Sequence, residues 1–274
     1  MGQKIPNIRE IESFLSKIDF KNSYTKAYSK INADRFCNSL RWLHPYLNHK
    51  QVLELGSRPF VFSLLAQKFY PNNRYWFTDF PKKKKRLFQF RDGSKKTVFH
   101  LETKVFDLEK TRFPFPNNSC DVVLIMETLE HLREDPMFMI KEANRVLRKG
   151  GLVFITTPNS VSWGALFRLL QMQSPLEAPT YTPGGRGNYK EYTPREVRAL
   201  LESGGFKIKS LRTLNNTNVD DFLKLGCIKE SAMDILKKWN KNTHLRDLYI
   251  YGLAQKIGPI KNRYPKGIYT TLAN

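Results

Sequence analysis

The 274 residues suffice for one large domain or a domain with a cap, and a hydrophobic fraction of 41% suits a packed core. No apolar run approaches the roughly 18 residues of a membrane span, and Cys37, Cys120 and Cys227 have neither metal-ligand nor disulfide spacing. Lys and Arg total 46 against 25 Asp and Glu, a net +21, which favours a polyanionic partner (nucleic acid, anionic lipid, acidic saccharide) or marks a lysine-rich solvated surface.

The start, MGQKIPNIREIESFL, has no signal-peptide apolar region, and Pro6 stands where myristoylation wants Ser or Thr. A cytoplasmic, reduced protein is expected. The first 50 residues read as helices: Ile11, Phe14, Leu15 and Ile18 recur at helical spacing, and so do Ala33, Phe36, Leu40 and Leu43. Then the period changes. Gln51–Leu55 reads as a strand, Gly56 as a turn, and Phe60–Phe69 as a helix. Arg74–Phe77 is a second strand ending at Asp79, and Thr97–Phe106 a third ending at Asp107. The densest charge run, Lys82–Arg86, is a candidate anion contact or a solvated face.

Asp121–Met126 (DVVLIM) is apolar throughout, as in a strand buried on both faces. A helix over Pro136–Leu147 is stopped by Lys149-Gly150-Gly151, and Leu152–Thr156 is the next strand. A helix over Trp163–Met172 leads into the Pro/Gly-rich SPLEAPTYTPGGRGNY, long enough for a lid or binding loop. Thr193-Pro194-Arg195-Glu196 has the form of a capped helix start, and Gly204-Gly205 ends that helix. Phe206–Leu211 and Asp247–Lys256 read as late edge strands, and the basic tail from Gly258 as partly disordered.

Strands alternating with helices imply an α/β fold, a Rossmann-like doubly wound sheet of mainly parallel strands. Ligands bind such sheets beyond the carboxyl ends of the strands. Those ends read Glu54-Leu55-Gly56, Thr78-Asp79, Phe106-Asp107, Met126-Glu127 and Thr157-Pro158-Asn159, so four of the five carry a carboxylate. Asp79 suits two ribose hydroxyls, each bond to a charged group being worth about 1.5–3 kcal/mol. Asp107 suits an adenine amine, with Phe106 and Leu108 flanking the ring. A helix cap or a turn is the alternative for each Asp taken singly.

With these residues in order, the chain resembles the class I S-adenosylmethionine-dependent methyltransferases. VLELGS is similar to their first motif, Asp79 to the second-strand acidic position, and VFDLEK to the third motif. The strongest likeness is SCDVVLIMETLEHLREDPMFMIKEANRVLRKGGLVFITTPN. GNYKEYTPREVRALLESGGF resembles the segment after the lid in a subset that occurs with genes for surface polysaccharides and other glycans. The chain departs from the family at Arg58 and Phe60, where the first motif places glycines. Arg58 is a candidate partner for the methionine carboxylate.

The resemblance implies an N-terminal helical cap (1–50), a methyltransferase domain (51–258, with a lid at about 160–192 after strand five) and a basic tail (259–274). It implies S-adenosyl-L-methionine as cofactor, held by Glu54, Gly56, Ser57, Arg58, Asp79, Phe80, Phe106, Asp107, Leu108, Met126 and Glu127. His131 and Glu130 are the candidate catalytic residues, His131 because the family's Glu-His pair often turns its His to the acceptor; a packing role is the alternative. Trp163, Tyr181, Tyr189 and Tyr192 are candidates to line the acceptor pocket, or ordinary loop packing. His44, His49, His100 and His244 lack ligand spacing, so no metal is expected.

The expected reaction is O-methylation of a sugar, glycan or other small-molecule acceptor. The charge keeps RNA ribose methylation as an alternative, although METLEH stands where amine-methylating enzymes carry an Asn/Asp-Pro-Pro-aromatic motif. A non-catalytic protein with a degenerate cofactor site is the third reading. Peripheral contact with an anionic surface is compatible with the charge.

Overall fold

The structure is a computed structural model that describes residues 4–80, 87–94, 96–175, 187–214 and 245–269. Lys82–Arg86, Tyr181, Cys227, His244 and the centre of the Pro/Gly-rich loop lie outside these residues.

Three helices precede the sheet, one more than the periodicity indicates: α1 (Ile8–Ser16), α2 (Ser23–Ile31) and α3 (Ala33–Leu43). Asparagines start the first two. Asn7 and Glu10 form a reciprocal capping box on α1, and Asn22 Oδ1 accepts from Thr25 N at 2.6 Å on α2. The α/β part then runs β1 (Gln51–Leu55), α4 (Val61–Phe69), β2 (Arg74–Asp79), β3 (Leu87–Arg91), β4 (Thr97–Val105), β5 (Cys120–Met126), α5 (Pro136–Val146), β6 (Leu147–Pro158), α6 (Trp163–Leu170), α7 (Pro194–Ser203), β7 (Phe206–Leu214) and β8 (Tyr249–Lys256).

The eight strands order as β3-β4-β2-β1-β5-β6-β8-β7. Neighbours from β4 to β6 are parallel, whereas β3/β4, β6/β8 and β8/β7 are antiparallel. The expected Rossmann-like sheet is therefore present. Strand β8 lies between β6 and β7, so of these two late strands β7 alone is an edge; the reading of both as edges is corrected. Their shared apolar alternation suits either place.

Side chains alternate across the central strands. Val52, Val122, Leu124, Phe154 and Tyr251 share one cluster with Ile11, Phe36, Leu40, Phe62 and Leu65, which places the N-terminal helices and α4 on that face. Leu53, Leu55, Val123, Ile125, Val153 and Ile155 face α5 and α7 through Met137, Ile140, Ala143, Leu200 and Leu201. The result is three layers, with β1 and β5 buried on both sides.

Two local details differ from the periodicity. Helix α5 ends at Val146, and Lys149–Gly151 falls within β6, where the register jumps from Cys120↔Leu147 to Val122↔Leu152. The tail through Tyr269 is docked rather than loose. Lys261 N donates to Ser203 O at 2.7 Å, and Tyr269 Oη donates to Asp135 Oδ1 at 2.5 Å while accepting from Met137 N at 2.9 Å.

Candidate functional site

The carboxyl ends of β1, β2, β4, β5 and β6 bring together most of the residues singled out from sequence. The turn after β1 is built around Gly56, at φ 67°. A Cβ there would lie 2.7 Å from Thr128 Oγ1 and 2.8 Å from Thr128 Cγ2, so glycine is required by conformation and by space. Thr128 Oγ1 is fixed between the carbonyls of Leu55 (3.0 Å) and Met126 (3.1 Å). Thr78 Oγ1 accepts from Gly56 N at 2.9 Å, and Ser57 N donates to Thr78 O at 2.9 Å. The turn is thus stapled to β2 and β5 on either side.

The remaining departures from glycine are accommodated rather than open. Phe60 adopts φ 70°, a left-handed conformation costing about 1–3 kcal/mol for a bulky residue. Its ring is 2% exposed and packs 4.5 Å from Phe88, within a cluster holding Leu64, Phe77 and Leu101. Arg58 turns to Asp79. Its Nε donates to Oδ1 at 3.1 Å and Oδ2 at 3.0 Å, and its Nη2 to Oδ2. Arg58 thus has an acceptor within its own chain, at Asp79.

Glu54, one residue before Leu55, is 4% exposed, and Ser63 Oγ donates to its Oε2 at 2.5 Å. Burial pushes its carboxyl up to about 8 against the pull of Ser63 and Ser57, so it is a neutral acid at pH 7. Asp107 follows β4, and its Oδ1 accepts from Glu109 N at 2.8 Å. Phe106 and Leu108 turn into the core; Phe106 packs 5.1 Å from Phe113. Phe80 is half-buried beside Asp79, to which its N donates at 2.9 Å, and Met126 is buried at the end of β5.

After β5 the chain bends at Glu127, φ 49°, whose N donates to Thr156 O at 2.9 Å. Glu127 Oε1 is buried without a hydrogen bond and lies 3.4 Å from Arg35 Nη1. Arg35, 1% exposed on α3, also donates to Tyr28 Oη at 2.6 Å and Asn32 Oδ1 at 3.1 Å. Burial opposes its charge, but Glu127 and the Tyr28 and Tyr249 phenols outweigh burial and hold the guanidinium ionised.

Glu130 is 2% exposed and accepts from Thr157 Oγ1 at 3.0 Å. Burial, then the neighbouring Glu127, raise its pKa well above the usual range. Raised in this way and buried, the carboxyl favours its protonated form and is poorly placed to accept a proton from a substrate. His131 is half-buried, and its Nδ1 lies 3.2 Å from Gly187 O. Donation to that carbonyl places the hydrogen on Nδ1 and makes Nε2 the basic nitrogen.

Of the pocket candidates, Trp163 is 7% exposed and stacks 6.3 Å from Phe167, and Tyr192 is 1% exposed in the core. Tyr189 is 42% exposed, with Arg133 Cζ 3.9 Å over its ring. Tyr189 N donates to Glu130 O at 2.8 Å, which ties this segment to the turn after β5. Sequence reasoning missed Arg35, Thr128 and Glu109. The last gathers Arg133 N, Glu134 N and Asp135 N on one oxygen, at 2.8, 2.6 and 3.0 Å. Among the described residues no group of His, Cys, Asp and Glu could hold a metal, and no helix is long and apolar enough to cross a membrane.

An adenosyl sulfonium amino acid fits this donor set. A hollow that a Cβ would fill lies at Gly56, a buried carboxylate oxygen at Glu127 that makes no hydrogen bond and faces the Arg35 guanidinium at 3.4 Å suits a further cation such as an ammonium, and Asp79 and Asp107 suit ribose and adenine. The single misfit is Arg58, which already holds Asp79.

Known proteins share part of this sequence and its fold. A family model described as a methyltransferase domain matches residues 53–155. The ubiquinone biosynthesis O-methyltransferase of Pelagibacter ubique is 26% identical over 160 residues, 58% of this chain and 63% of that protein. The enzyme of the same name from Parvibaculum lavamentivorans is 30% identical over 102 residues, 37% of this chain and 39% of that protein. The chain thus spans less than two thirds of either relative. Two solved SAM-dependent methyltransferases share the fold. The one from Archaeoglobus fulgidus has TM-score 0.51 and 14% identity, covering 86% of this chain and 100% of its own. The one from Thermotoga maritima has TM-score 0.51 and 14% identity, covering 90% and 99%. Residues 53–155 thus match a methyltransferase domain, and the chain shares the fold of solved S-adenosylmethionine-dependent methyltransferases.

Proposed function

We propose that the whole chain transfers a methyl group from S-adenosylmethionine to an oxygen of a small-molecule acceptor, a sugar or glycan being the class favoured. The observation that carries this is the row of carboxylates at successive strand ends, Asp79, Asp107 and Glu127, around the Gly56 turn. The oxygen is supported by the curated relatives, named as O-methyltransferases. The sugar is supported by the likeness of Gly187–Phe206 to the glycan-associated subset. The helical segment 1–50, the domain 51–258 and the tail 259–274 are the units we assign to it.

Bound S-adenosylmethionine supplies an already activated methyl. The chain's share is to hold and orient the reactants. In this reading Gly56 and Ser57 admit the cofactor's backbone approach, Asp79 and Asp107 hold its ribose and adenine, and Glu127 faces its ammonium. His131 Nε2 takes the acceptor's hydroxyl proton. Glu130, bonded to Thr157, fixes the turn that carries His131. Trp163 and Tyr192 support the acceptor side from within the core, and Tyr189 borders it.

The test is calorimetric titration with S-adenosylhomocysteine, with Asp79→Ala alongside, followed by methyl-transfer assays on hydroxylated acceptors. Loss of two ribose bonds is expected to weaken binding a hundredfold or more, from about 3–6 kcal/mol. Absence of binding in the wild type sinks the reading. The +21 charge favours a second acceptor, RNA ribose. That reading requires polyanion binding that falls steeply with salt, and weak binding at low salt eliminates it.

A further inference from the structure

We infer that Arg58 is a built-in competitor of the cofactor: in the free protein its guanidinium fills the positions on Asp79 that ribose hydroxyls need, and the cofactor enters by displacing it. The inference rests on the cofactor reading above.

The argument is one of acceptor capacity. An ionised carboxylate offers about four lone-pair sites, two on each oxygen. Asp79 Oδ1 already accepts from Arg58 Nε at 3.1 Å and from Phe80 N at 2.9 Å. Oδ2 accepts from Arg58 Nε at 3.0 Å and from Arg58 Nη2. Three hydrogens are thus already directed at these sites, the single one on Nε being shared between the two oxygens. A vicinal diol would bring two more, five hydrogens for about four sites, and both cannot be seated while Arg58 remains. The Phe80 bond is to backbone beside Asp79, so the side chain of Arg58 is the group that can leave.

Its surroundings permit that movement. The Arg58 side chain is 35% exposed, against 7% for Asp79, so the guanidinium has a path to water without opening the core. It rests over the Phe60 and Phe88 rings, with Cζ 5.5 and 4.9 Å from their centroids. Those contacts hold the closed position. The backbone beneath is fixed by Ser57 N to Thr78 O (2.9 Å) and Phe60 N to Ser57 O (2.7 Å). Rotation of one side chain therefore suffices, and the Gly56 turn stays in place. A glycine at 58 would leave Asp79 open at all times. The arginine instead makes cofactor affinity depend on the strength of an ion pair.

The consequence is unusual for a residue lining a binding site: deleting it tightens binding. Calorimetric titration of S-adenosylhomocysteine into wild type and Arg58→Ala is expected to show about tenfold tighter binding to the variant, the size of a bidentate charged contact no longer displaced. Arg58→Lys keeps the charge but loses the fork, and falls between the two. Raising salt from low to high ionic strength weakens the partly exposed pair. Wild-type affinity then rises, while Arg58→Ala is unmoved. Adenosine shows the same gain in the variant, and 2′,3′-dideoxyadenosine, with no diol to compete, shows none.

Equal or weaker binding to Arg58→Ala than to wild type, with the melting temperature retained, overturns the inference and leaves the cofactor reading standing. If Arg58→Ala does not fold, the lysine variant and the wild-type salt series decide, and affinity falling with salt overturns it. If neither wild type nor variant binds S-adenosylhomocysteine or adenosine, the cofactor reading fails and this inference with it.

Discussion

Arg35 Nη1 lies 3.4 Å from Glu127 Oε1, both side chains nearly closed to solvent, at 2% and 14% exposure. The contact joins the N-terminal helices to the strand end that bends toward the proposed cofactor. Arg35 is further held by Tyr28, Asn32 and the Tyr249 ring, with Cζ 5.4 Å from that ring's centroid. The helical segment is thus electrostatically part of the site. Breaking a buried pair leaves its survivor uncompensated, at a cost of about 3–5 kcal/mol. Arg35→Met is expected to lower the unfolding free energy by about that amount and to weaken S-adenosylhomocysteine binding. Arg35→Met with Glu127→Gln should recover much of the stability, since no buried charge is then stranded. A double variant no more stable than Arg35→Met, in a urea titration, rejects the pair as the cause.

This relationship also marks a limit of sequence reading. Arg35 sits in ADRFCNSL beside the apolar stripe of Ala33, Phe36 and Leu40. An arginine flanking such a stripe reads as a solvated residue, and nothing local indicates a partner 92 positions away at Glu127. The strands β1, β2, β5 and β6 were legible because two-faced burial demands continuous apolar runs. The placement of Gly56, Asp79 and Asp107 at or just past strand ends was legible because the apolar runs before them set where the strands stop. The hairpin β3–β4 was not read, although Asp92-Gly93 is a turn signal; Asp92 Oδ1 accepts from Ser94 N at 3.0 Å and Lys96 N at 3.1 Å there. Arg58 was legible as a departure but not in its partner. Pairing across β1 and β2 is a tertiary fact.

Glu54 ties stability to pH. Its folded carboxyl titrates at about 8, against an ordinary 4.5. Below about 4.5 both folded and unfolded forms are protonated and the group is indifferent. Between 4.5 and 8 the unfolded chain ionises while the folded chain holds its proton, so stability falls as pH rises. Its share of the slope is at most about 1.4 kcal/mol per pH unit. Glu54→Gln keeps the shape and an acceptor for Ser63 without the charge. It is expected to match wild type near pH 4.5 and melt higher at pH 8. Parallel melting curves across that range would refute the assignment.

Gly56→Ala combines two penalties. The position requires φ 67°, and the new Cβ meets Thr128 at 2.7 Å. The conformational part alone costs about 1–2 kcal/mol. The steric part pushes on a threonine that bonds Leu55 O and Met126 O. Expected outcomes are a stability loss of about 2–4 kcal/mol and loss of S-adenosylhomocysteine binding. Gly56→Ala with Thr128→Ala should regain part of the stability but not all, because the left-handed strain persists. Full recovery would mean that the backbone conformation carries no cost.

Tyr269 Oη accepts from Met137 N at 2.9 Å and donates to Asp135 Oδ1 at 2.5 Å, so the tail fastens the start of α5. Asp135 is also the N-cap, accepting from Phe138 N at 3.2 Å. Tyr269→Phe leaves one backbone donor without its partner and is expected to cost about 1–2 kcal/mol. Truncation before Lys261 should cost more, because it also removes the bond from Lys261 N to Ser203 O. Hydrogen exchange at Met137 gives the direct reading: protection there should fall in Tyr269→Phe while β5 amides keep theirs. Unchanged protection would show that the tail does not hold the helix.

His131→Ala separates positioning from proton transfer. The ring is half-buried beside Gly187 O and is not required by the strand-end contacts assigned to the cofactor. S-adenosylhomocysteine affinity is therefore expected to stay within about twofold, well under the tenfold that 1.4 kcal/mol would give. Methyl transfer to a hydroxyl acceptor should fall about a hundredfold or more, the range of general-base contributions. His131→Gln restores a hydrogen-bond donor toward Gly187 but no basic nitrogen, so it should recover fold stability and leave the rate low. A rate restored by glutamine would assign the histidine to holding the 187–192 segment, and the acceptor's proton would then leave by another route.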